Sequence, residues 1–486
     1  MRRSIASLVT LGVITVLPGG VALVGQSSAG AASPAQSAQL DLLDRVRALP
    51  GVIDATETTP AGSEGPRRFE IKFEQWVDHQ DHGKGTFVQR LGLMHTDFGR
   101  PMVMHTSGYG LPGFARTEPT QIVDGNQINM EYRFFDPSRP DNPDWSKQLT
   151  IKQAATDQHR IIESFKNLYS ANWLTTGASK GGMTATYHRR FFPKDVNGTV
   201  AYVAPNDVND DKDVYNKFLD NVGDNPTCRR ELIGIQRRLL GKDRPAFLEL
   251  LTASDKAAGR TYTTVGSQEK AYEAAVADMP FGFWQQKPAS FCDSIPAPSA
   301  SNEVVFSWGA LVTKPWAYSD QELEYYAPYY YQAAYQLGSP EPYETHIGDL
   351  LKFPGANVAR TFVPDALKPA KFDTKAMPDI DKWVRKSSSQ MLFIDGENDP
   401  WSAEPFNCGK NAAARDCNRY VAPGANHGAN IKALQEKQKN TANYKILQWA
   451  GLTESDPAVK QIRKAGKPKD LGKIDREPQR QGLGLR

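Results

Sequence analysis

The sequence predicts an α/β fold, in which a mostly parallel sheet is interrupted by a long, mostly helical insertion. Strand and helix patterns alternate between Ser146 and Val203, which is typical of parallel sheets because their strands need crossover connections. Strand patterns are then sparse over residues 206–388, where helical patterns rich in Asp, Tyr and Trp prevail. They return at Gln390–Ile394 and Asn418–Val421, so we expect the insertion to lie between strands of one sheet.

The N-terminus has the three-part layout of a secretory signal peptide. Arg2 and Arg3 precede an apolar run, and Ala29-Gly30-Ala31 supplies a small-residue cleavage site. A membrane anchor is the alternative, but Pro18 and the glycines beside it suit a cleaved segment better than a spanning helix. We therefore expect residues 1–33 to be a signal peptide and the protein to be secreted. The net charge of +3 on 486 residues gives no reason to expect nucleic-acid or membrane partners, and a monomer is expected.

Residues 34–205 form the first part of the predicted sheet domain. Closely spaced alternating segments predict an antiparallel lead-in, and the later segments predict a strand–helix–strand core. The predicted elements are, in order, a helix at Leu40–Leu49, strands at Arg67–Val77, Phe87–His95, Pro101–Met104 and Gln127–Phe135, a helix at Ser146–Leu168, a strand at Trp173–Thr176, a helix at Gly181–Phe191 and a strand at Gly198–Val203.

The insertion, residues 206–388, is predicted to be a cap over a functional site, because both its ends attach where parallel strands deliver their functional loops. A separate domain with its own role is the alternative. Residues 389–458 then complete the sheet domain with two strands and a closing helix at Asn430–Ala450, and residues 459–486 form a basic tail.

Four cysteines in an exported chain predict two disulfides, since oxidising compartments favour them. Three pairings are possible, and we favour the pairing that is local in sequence, Cys228 with Cys292 and Cys408 with Cys417. Free buried thiols are the alternative. No cysteine pair has zinc-ligand spacing to nearby histidines, so we expect neither a structural metal nor another cofactor.

The segment Gly177-Ala178-Ser179-Lys180-Gly181 follows a predicted strand and opens a predicted helix. It has the G-x-S-x-G pattern of a nucleophilic serine on a sharp strand-to-helix turn, where glycines avoid collisions with neighbouring backbone. A glycine-rich surface turn is the alternative. The setting favours Ser179 as a nucleophile and predicts the α/β-hydrolase fold, with the helical cap inserted between sheet strands.

A serine nucleophile needs a histidine base and an orienting carboxylate, and in this fold the carboxylate precedes the histidine along the chain. His346 and His427 both follow Ser179, and His427 has the expected setting in a tight loop between a strand and a helix. Asp395 directly follows the preceding strand, whereas Asp399 lies farther out in the same loop. We therefore expect Asp399 to be the acid and His427 the base.

A tetrahedral oxyanion needs two backbone N–H donors. The first is expected from Lys180, directly after the serine. The second is expected from Gly108 or Tyr109, in a glycine-containing loop after the predicted strand Pro101–Met104. An ordinary glycine turn is the alternative at this position.

Three motifs together resemble those of the secreted actinobacterial prolyl tri/tetrapeptidyl aminopeptidases. They are Gly-Ala-Ser-Lys-Gly-Gly-Met around Ser179, Asp-Gly-Glu-Asn-Asp-Pro-Trp around Asp399 and Gly-Ala-Asn-His-Gly around His427. The resemblance covers nearly the whole mature chain, and a more distant one links it to lysosomal prolylcarboxypeptidase and its dipeptidyl peptidase relatives. It implies an exopeptidase that releases tri- or tetrapeptides from free N-termini of peptides or proteins, with proline before the cleaved bond, through a Ser–Asp–His triad.

An enzyme of that class needs flat apolar walls for proline and a carboxylate for the substrate ammonium. The cap aromatics Trp284, Trp308 and Trp316 are expected to line the substrate pocket, with a place in the cap's own core as the alternative for each. Glu131 is the expected ammonium partner. Its rivals are the carboxylates of the cap, Asp320, Glu322 and Glu324.

Two other functions stay open at the level of sequence. An esterase or lipase would carry the same elbow and triad, although the many charged residues of the cap argue against a lipid-binding lid. A binding protein on an inactive hydrolase scaffold is disfavoured, because all three triad residue types occur in the required order.

Overall fold

The structure of the protein, a computed structural model, describes residues 41–460 except 211, 213, 370, 454, 457 and 458. The fold described below is that of the compact unit that begins at Leu42. The predicted signal peptide and nearly all of the predicted basic tail lie outside the described residues. Within the described range, no helix has both the length and the apolar character that a membrane span requires.

Among the described residues, nine strands form one sheet. They are β1 (Val52–Glu57), β2 (Arg67–Trp76), β3 (Thr86–His95), β4 (Met102–Thr106), β5 (Asn126–Met130), β6 (Trp173–Ala178), β7 (Gly198–Tyr202), β8 (Met391–Gly396) and β9 (Cys417–Ala422). Their order across the sheet is β1-β2-β3-β5-β4-β6-β7-β8-β9. The pairs β1–β2, β2–β3 and β3–β5 are antiparallel, and the remaining pairs are parallel. The predicted antiparallel lead-in and parallel core are both confirmed.

Helices cover both faces of the parallel core. Those of the sheet domain are α1 (Leu42–Arg47), α2 (Glu118–Val123), α3 (Trp145–Gln148), α4 (Ile151–Phe165), α5 (Lys180–Phe191) and, after the cap, α14 (Glu436–Trp449). The helices of the inserted segment are α6 (Tyr215–Leu219), α7 (Pro226–Leu240), α8 (Arg244–Ala258), α9 (Gln268–Ala277), α10 (Met279–Gln286), α11 (Asn302–Val312), α12 (Asp320–Gln332) and α13 (Ala376–Ser387), of which α13 packs against the sheet.

Strand β8 shows how the sheet is buried between helices. Because successive side chains of a strand point to opposite faces, Leu392 and Ile394 pack into the core that contains α14, whereas Met391 and Phe393 pack with α13. Every residue of β8 is buried, as expected of a parallel strand covered on both faces. With the topology above, this confirms the α/β-hydrolase fold.

The described part of residues 206–388 contains helices and no strand of the sheet, and it packs around an apolar core of its own. A second apolar cluster joins α12 to the end of β5 and the loop after it, through Tyr132, Phe134 and Phe135. The disulfide Cys228–Cys292 lies within this segment, and Cys408–Cys417 joins the loop after β8 to the start of β9. The structure thus contains both disulfides of the favoured pairing. The role of the segment as a cap stays a prediction.

Three local predictions differ from the structure. The helix predicted over Ser146–Leu168 is divided into α3 and α4, because the Thr150 side chain accepts from the Gln153 N–H and starts a new helix. The strand predicted over Gln127–Phe135 ends at Met130, and the chain then turns through Phe134, whose φ is 73°. Strand β1 was not predicted.

Candidate active site

Ser179 lies on a sharp turn between β6 and α5. Its φ of 56° is unusual for a residue with a side chain and is the strained conformation of a nucleophile elbow. The glycines on either side are required by close packing. A Cβ on Gly177 would lie 2.4 Å from the Gly181 carbonyl carbon, and one on Gly181 would lie 2.1 Å from the Thr106 oxygen. The G-x-S-x-G pattern therefore follows from the contact of β4, β6 and α5.

Asp399 and His427 meet at the ends of two neighbouring strands. His427 Nδ1 lies 2.9 Å from both Asp399 carboxylate oxygens, and both side chains are buried. The carboxylate also accepts from the Ser402 hydroxyl at 2.7 Å and the Trp401 N–H at 3.2 Å. Because these two further partners fix the orientation of the carboxylate, the imidazole has a defined direction. Its Nε2 is buried and has no hydrogen-bond partner among the described residues.

The loops that carry acid and base are tied together by backbone contacts. The Asn398 N–H donates to the Ala425 carbonyl at 2.9 Å, and the Gly424 N–H donates to a Glu397 carboxylate oxygen at 2.7 Å. Gly396 allows this approach, since a Cβ there would lie 2.4 Å from the Asn426 oxygen.

The competing acid and base have other partners. Asp395 lies 2.5 Å from Arg419 Nε, and burial raises the pKa of its carboxyl to about 6, with Arg419 opposing that rise. His346 lies on the cap surface, 3.2 Å from Asp220. Of the alternatives weighed from the sequence, the structure brings together Asp399 and His427.

The loop Ser107–Gly110 packs directly against the elbow. Gly108 has a φ of 77°, and a Cβ there would lie 2.8 Å from the Lys180 carbonyl carbon. Lys180 is the first residue of α5, where helix N–H groups have no intrahelical partner. The Tyr109 N–H already donates to the Ser107 hydroxyl at 3.0 Å. Of the two residues expected to supply the second oxyanion donor, the geometry therefore favours Gly108.

Ser179 and His427 line one cavity of about 1090 Å³ between the sheet and the cap. Aromatic side chains form a large part of its wall: Tyr109, Tyr215, Tyr325, Tyr326, Tyr329 and Trp401. The three neighbouring cap tyrosines come from α12, and Tyr109 contacts Tyr326 and Tyr329 at ring-centroid distances of 6.1 and 5.8 Å. The tyrosine-rich run at residues 325–331 was the sequence signal for this wall.

The three tryptophans predicted to line the pocket do not line this cavity. Trp284 and Trp308 are 1% and 6% exposed and belong to the apolar core of the cap. Trp316 packs at the edge of that core and carries the Arg260 guanidinium over its ring at 4.5 Å. These assignments are corrected: the cap uses its tryptophans for its own packing.

Four carboxylate residues line the cavity: Glu118, Glu131, Asp136 and Asp207. Glu131 is fully buried, and its two oxygens accept from Arg90 Nη2 at 2.5 Å, Arg90 Nε at 2.8 Å, the Leu111 N–H at 2.9 Å and the Ser138 hydroxyl at 2.5 Å. Four donors fill the capacity of a carboxylate. The Glu131 carboxylate therefore has no acceptor position left for a substrate ammonium, and it binds Arg90 instead.

Glu118 and Asp136, two further carboxylates of the cavity, differ in their hydrogen-bond donors and in their exposure. Glu118 was missed in the sequence; it accepts from the Tyr202 hydroxyl and the N–H groups of Ile431 and Lys432, and it is buried. The Asp136 side chain is 63% exposed and has an ion pair with Arg139 at 3.2 Å. Of the cap rivals, Asp320 accepts from the N–H groups of residues 263 and 264, and neither it nor Glu322 or Glu324 lines the cavity.

One described cluster has metal-ligand composition. Ligand atoms of His159, Glu163 and Asp195 lie within 4.8 Å of one another, away from the cavity lining. One Asp195 oxygen is 2.8 Å from His159 Nδ1 and 2.9 Å from His188 Nε2. Hydrogen bonding between helices α4 and α5 accounts for this cluster.

Comparisons with known proteins give one family and several similar proteins. The family model described as PS-10 peptidase S37 matches residues 35–479. A prolyl tri/tetrapeptidyl aminopeptidase from Streptomyces mobaraensis is 46% identical over 471 residues, which cover 96% of both chains. Among solved structures, Rv0554 of Mycobacterium tuberculosis is similar at 12% identity, covering 79% of this chain and 99% of that one, with a TM-score of 0.34. The proline iminopeptidase of Mycobacterium smegmatis is similar at 13% identity, covering 74% and 96%, with a TM-score of 0.34.

Proposed function

Because the chain belongs to the PS-10 peptidase S37 family of serine peptidases, we propose that it is an exopeptidase which releases tri- or tetrapeptides from free N-termini, with proline before the cleaved bond. One observation carries the proposal. A relative that shares 46% of its residues, across 96% of both chains, is named for this activity, and the candidate nucleophile Ser179 and base His427 line one cavity here.

The proposed mechanism starts from the Ser179 hydroxyl. His427 Nε2 accepts its proton as the oxygen attacks the carbonyl carbon of the scissile bond, and Asp399 stabilises the imidazolium that forms. The N–H groups of Lys180 and Gly108 donate to the oxyanion. His427 then protonates the leaving amine, which breaks the C–N bond and leaves an acyl-enzyme on Ser179. Water activated by His427 hydrolyses this ester and restores the serine.

The preference for proline is assigned to the tyrosine wall of the cavity. A pyrrolidine ring is flat and apolar, and aromatic faces offer it contact area without a polar group to desolvate. Four tyrosines support this assignment, since they line the same cavity as Ser179: Tyr325, Tyr326 and Tyr329 of α12, and Tyr109 of the loop Ser107–Gly110.

Export is proposed as well. Two disulfides support it, because such bonds persist in oxidising compartments, and the N-terminal motif at residues 1–33 supplies a signal. N-terminal sequencing of the protein from culture medium should give a mature chain that starts close to residue 34. A retained Met1 on the extracellular protein would contradict it.

The activity is tested with three chromogenic substrates: Ala-Ala-Pro-p-nitroanilide, its N-acetylated form and p-nitrophenyl octanoate. We expect the free peptide to be cleaved at least about a hundred-fold faster than the acetylated one. Ser179→Ala should reduce kcat by about 10⁴-fold or more, whereas Ser170→Ala, at an exposed serine, should leave it unchanged. Ester hydrolysis without peptide cleavage would make the protein an esterase, and equal rates on both peptides would exclude an aminopeptidase.

A further inference from the structure

The side chain of Lys180 occupies an unusual place beside the nucleophile. Lys180 is 2% exposed, and its Nζ lies 2.7 Å from the Gly108 carbonyl oxygen. The same atom lies 3.3 Å from the ring centroid of Tyr132, with Tyr109 and Phe135 at 5.6 and 5.7 Å. The triad mechanism uses only the backbone N–H of this residue, so the buried amine has no role there.

Burying this amine is costly. Desolvation alone lowers its pKa well below the usual value for lysine, and none of the described carboxylates forms an ion pair with it. Its surroundings would accept an apolar side chain of the same length, because they consist of aromatic rings and a single carbonyl oxygen. We therefore explain the buried amine by the group that its hydrogen bond holds in position, the Gly108 carbonyl.

That hydrogen bond fixes one side of a single peptide group. The carbonyl of Gly108 and the N–H of Tyr109 belong to the same peptide plane. Lys180 Nζ holds the carbonyl at 2.7 Å, and the Ser107 hydroxyl accepts from the N–H at 3.0 Å. The Ser107 hydroxyl in turn donates to the Gly110 carbonyl at 2.8 Å. With this plane held on both sides, the orientation of the preceding Gly108 N–H is restricted.

We propose that the Lys180 side chain is a positioning residue for the oxyanion site: its bond to the Gly108 carbonyl holds the loop Ser107–Gly110 so that the Gly108 N–H faces the oxyanion. The inference rests on the proposed function only in taking Ser179 as the nucleophile. A misdirected oxyanion donor weakens binding of the transition state and leaves binding of the substrate nearly unchanged.

The test compares Lys180→Met with Lys180→Gln in the full-length mature protein. Methionine keeps the apolar length and suits aromatic neighbours, and it has no donor. With Ala-Ala-Pro-p-nitroanilide, Lys180→Met should lower kcat by about ten-fold or more while KM stays within two-fold. Lys180→Gln retains an N–H donor, so its kcat should be at least three-fold higher than that of Lys180→Met. Lys287→Met is the matched control, since Lys287 also lies over an aromatic ring and has a pKa lowered by burial, outside the cavity lining.

Two further measurements separate positioning from folding. The urea midpoint of Lys180→Met should equal or exceed that of the wild type, because a desolvated amine is removed. Should this variant not fold, Ser107→Ala removes the other contact of the same peptide plane and should show the same loss of kcat at constant KM. A kcat of Lys180→Met within two-fold of the wild type, or equal losses in the Met and Gln variants, would overturn the proposal.

A serine-directed fluorophosphonate probe separates this proposal from the proposed substrate. The Ser179 oxygen attacks the phosphorus, fluoride leaves, and the product is a tetrahedral phosphonyl ester. Its phosphoryl oxygen needs the same donors in the five-coordinate transition state and in the product, whatever peptide the enzyme cleaves. We expect labelling to slow by about ten-fold in Lys180→Met. If the wild type is labelled but does not cleave the proline peptide, the proposed function fails, and the role of Lys180 is still decided by the labelling rate.

Discussion

Asp395 and Asp399 follow the same strand four residues apart and have opposite electrostatic surroundings. The Asp399 carboxylate has three hydrogen-bond partners: the Trp401 N–H, the Ser402 hydroxyl and His427 Nδ1. Asp395 is buried with a single cation, Arg419, and with Asp399 close enough to raise its pKa further. Burial thus makes ionisation of Asp395 costly, whereas the Asp399 carboxylate is held by three hydrogen bonds beside the catalytic loop.

This contrast predicts the pH dependence of Asp395→Asn. Burial raises the pKa of Asp395 from 3.8 to about 6, so the folded state binds the proton more tightly than the unfolded state. The resulting stabilisation is complete below pH 4 and is lost as the pH rises through 6. The unfolding free energy of the wild type relative to Asp395→Asn should therefore fall by about 2 kcal/mol between pH 4 and pH 7. Urea unfolding at both pH values measures this, and a constant difference would contradict it.

Asp136 is the cavity carboxylate that an incoming ammonium reaches at the lowest desolvation cost. Asp136→Asn should raise KM for Ala-Ala-Pro-p-nitroanilide by about ten-fold, which corresponds to the loss of one charge-assisted hydrogen bond. Asp365→Asn is the matched control, because Asp365 is also exposed and also pairs with a cation three residues later. Unchanged KM in Asp136→Asn would assign the ammonium to another group.

At the residue scale, the sequence was informative where chemistry fixes the order and type of residues. Ser179, Asp399 and His427 could be chosen because each has a required residue type at a required place after a strand. Glu131 could not be judged in this way. Its donors Arg90, Leu111 and Ser138 are scattered along the chain, and only the folded structure reveals that they occupy every acceptor position.

Among the elements, helices α4 and α5 are joined through Asp195. His159 of α4 and His188 of α5 bond to the same oxygen of this buried carboxylate. Burial opposes ionisation, but the two histidines lower the pKa of Asp195 to about 2. Because α5 begins at the nucleophile elbow, this contact helps to hold in place the helix that carries the elbow.

A stability prediction follows for Asp195→Asn. The folded pKa lies below the unfolded value of 3.8, so the stabilisation is present above pH 4 and is lost as the pH falls to about 2. The variant should be less stable than the wild type by about 2 kcal/mol at neutral pH. The difference should shrink toward zero at pH 2 in urea-unfolding titrations. An unfolding free energy equal to that of the wild type at pH 7 would refute the role of this contact.

Elements with strong periodicity were predictable, and the exceptions have local causes. Strand β1 has six residues, of which Asp54 and Glu57 are charged, and it pairs only with β2, so its sequence lacks a long apolar run. The division between α3 and α4 depends on a capping hydrogen bond that the Thr150 side chain accepts from the Gln153 N–H, and the neighbours of Thr150 still follow helical periodicity. Such breaks depend on single side-chain contacts that a periodic pattern does not contain.

At the scale of the whole molecule, the insertion between β7 and β8 brings residues more than a hundred positions apart in the chain to one cavity. Groups of the insertion accept hydrogen bonds directly from the loops of the candidate site. The His427 N–H donates to the Gln285 carbonyl at 3.2 Å, and the Gly110 N–H donates to the Tyr325 hydroxyl at 3.3 Å. The insertion was predictable from the interrupted strand pattern. Which aromatic residues face the cavity was not, because an apolar helix face packs equally well against a core or a ligand.

The division of the cap into a core and a cavity wall predicts opposite effects for two aromatic substitutions. Tyr325→Ala, at a partly buried wall residue, should raise KM for Ala-Ala-Pro-p-nitroanilide by about ten-fold and reduce the preference over Ala-Ala-Ala-p-nitroanilide, because an aromatic contact with proline is lost. Trp308→Ala, in the cap core, should lower the unfolding free energy by about 3–5 kcal/mol while KM stays within two-fold under conditions where the protein is folded. Steady-state kinetics and urea unfolding of both variants give the comparison. A raised KM in Trp308→Ala with unchanged KM in Tyr325→Ala would return the proline site to the tryptophans.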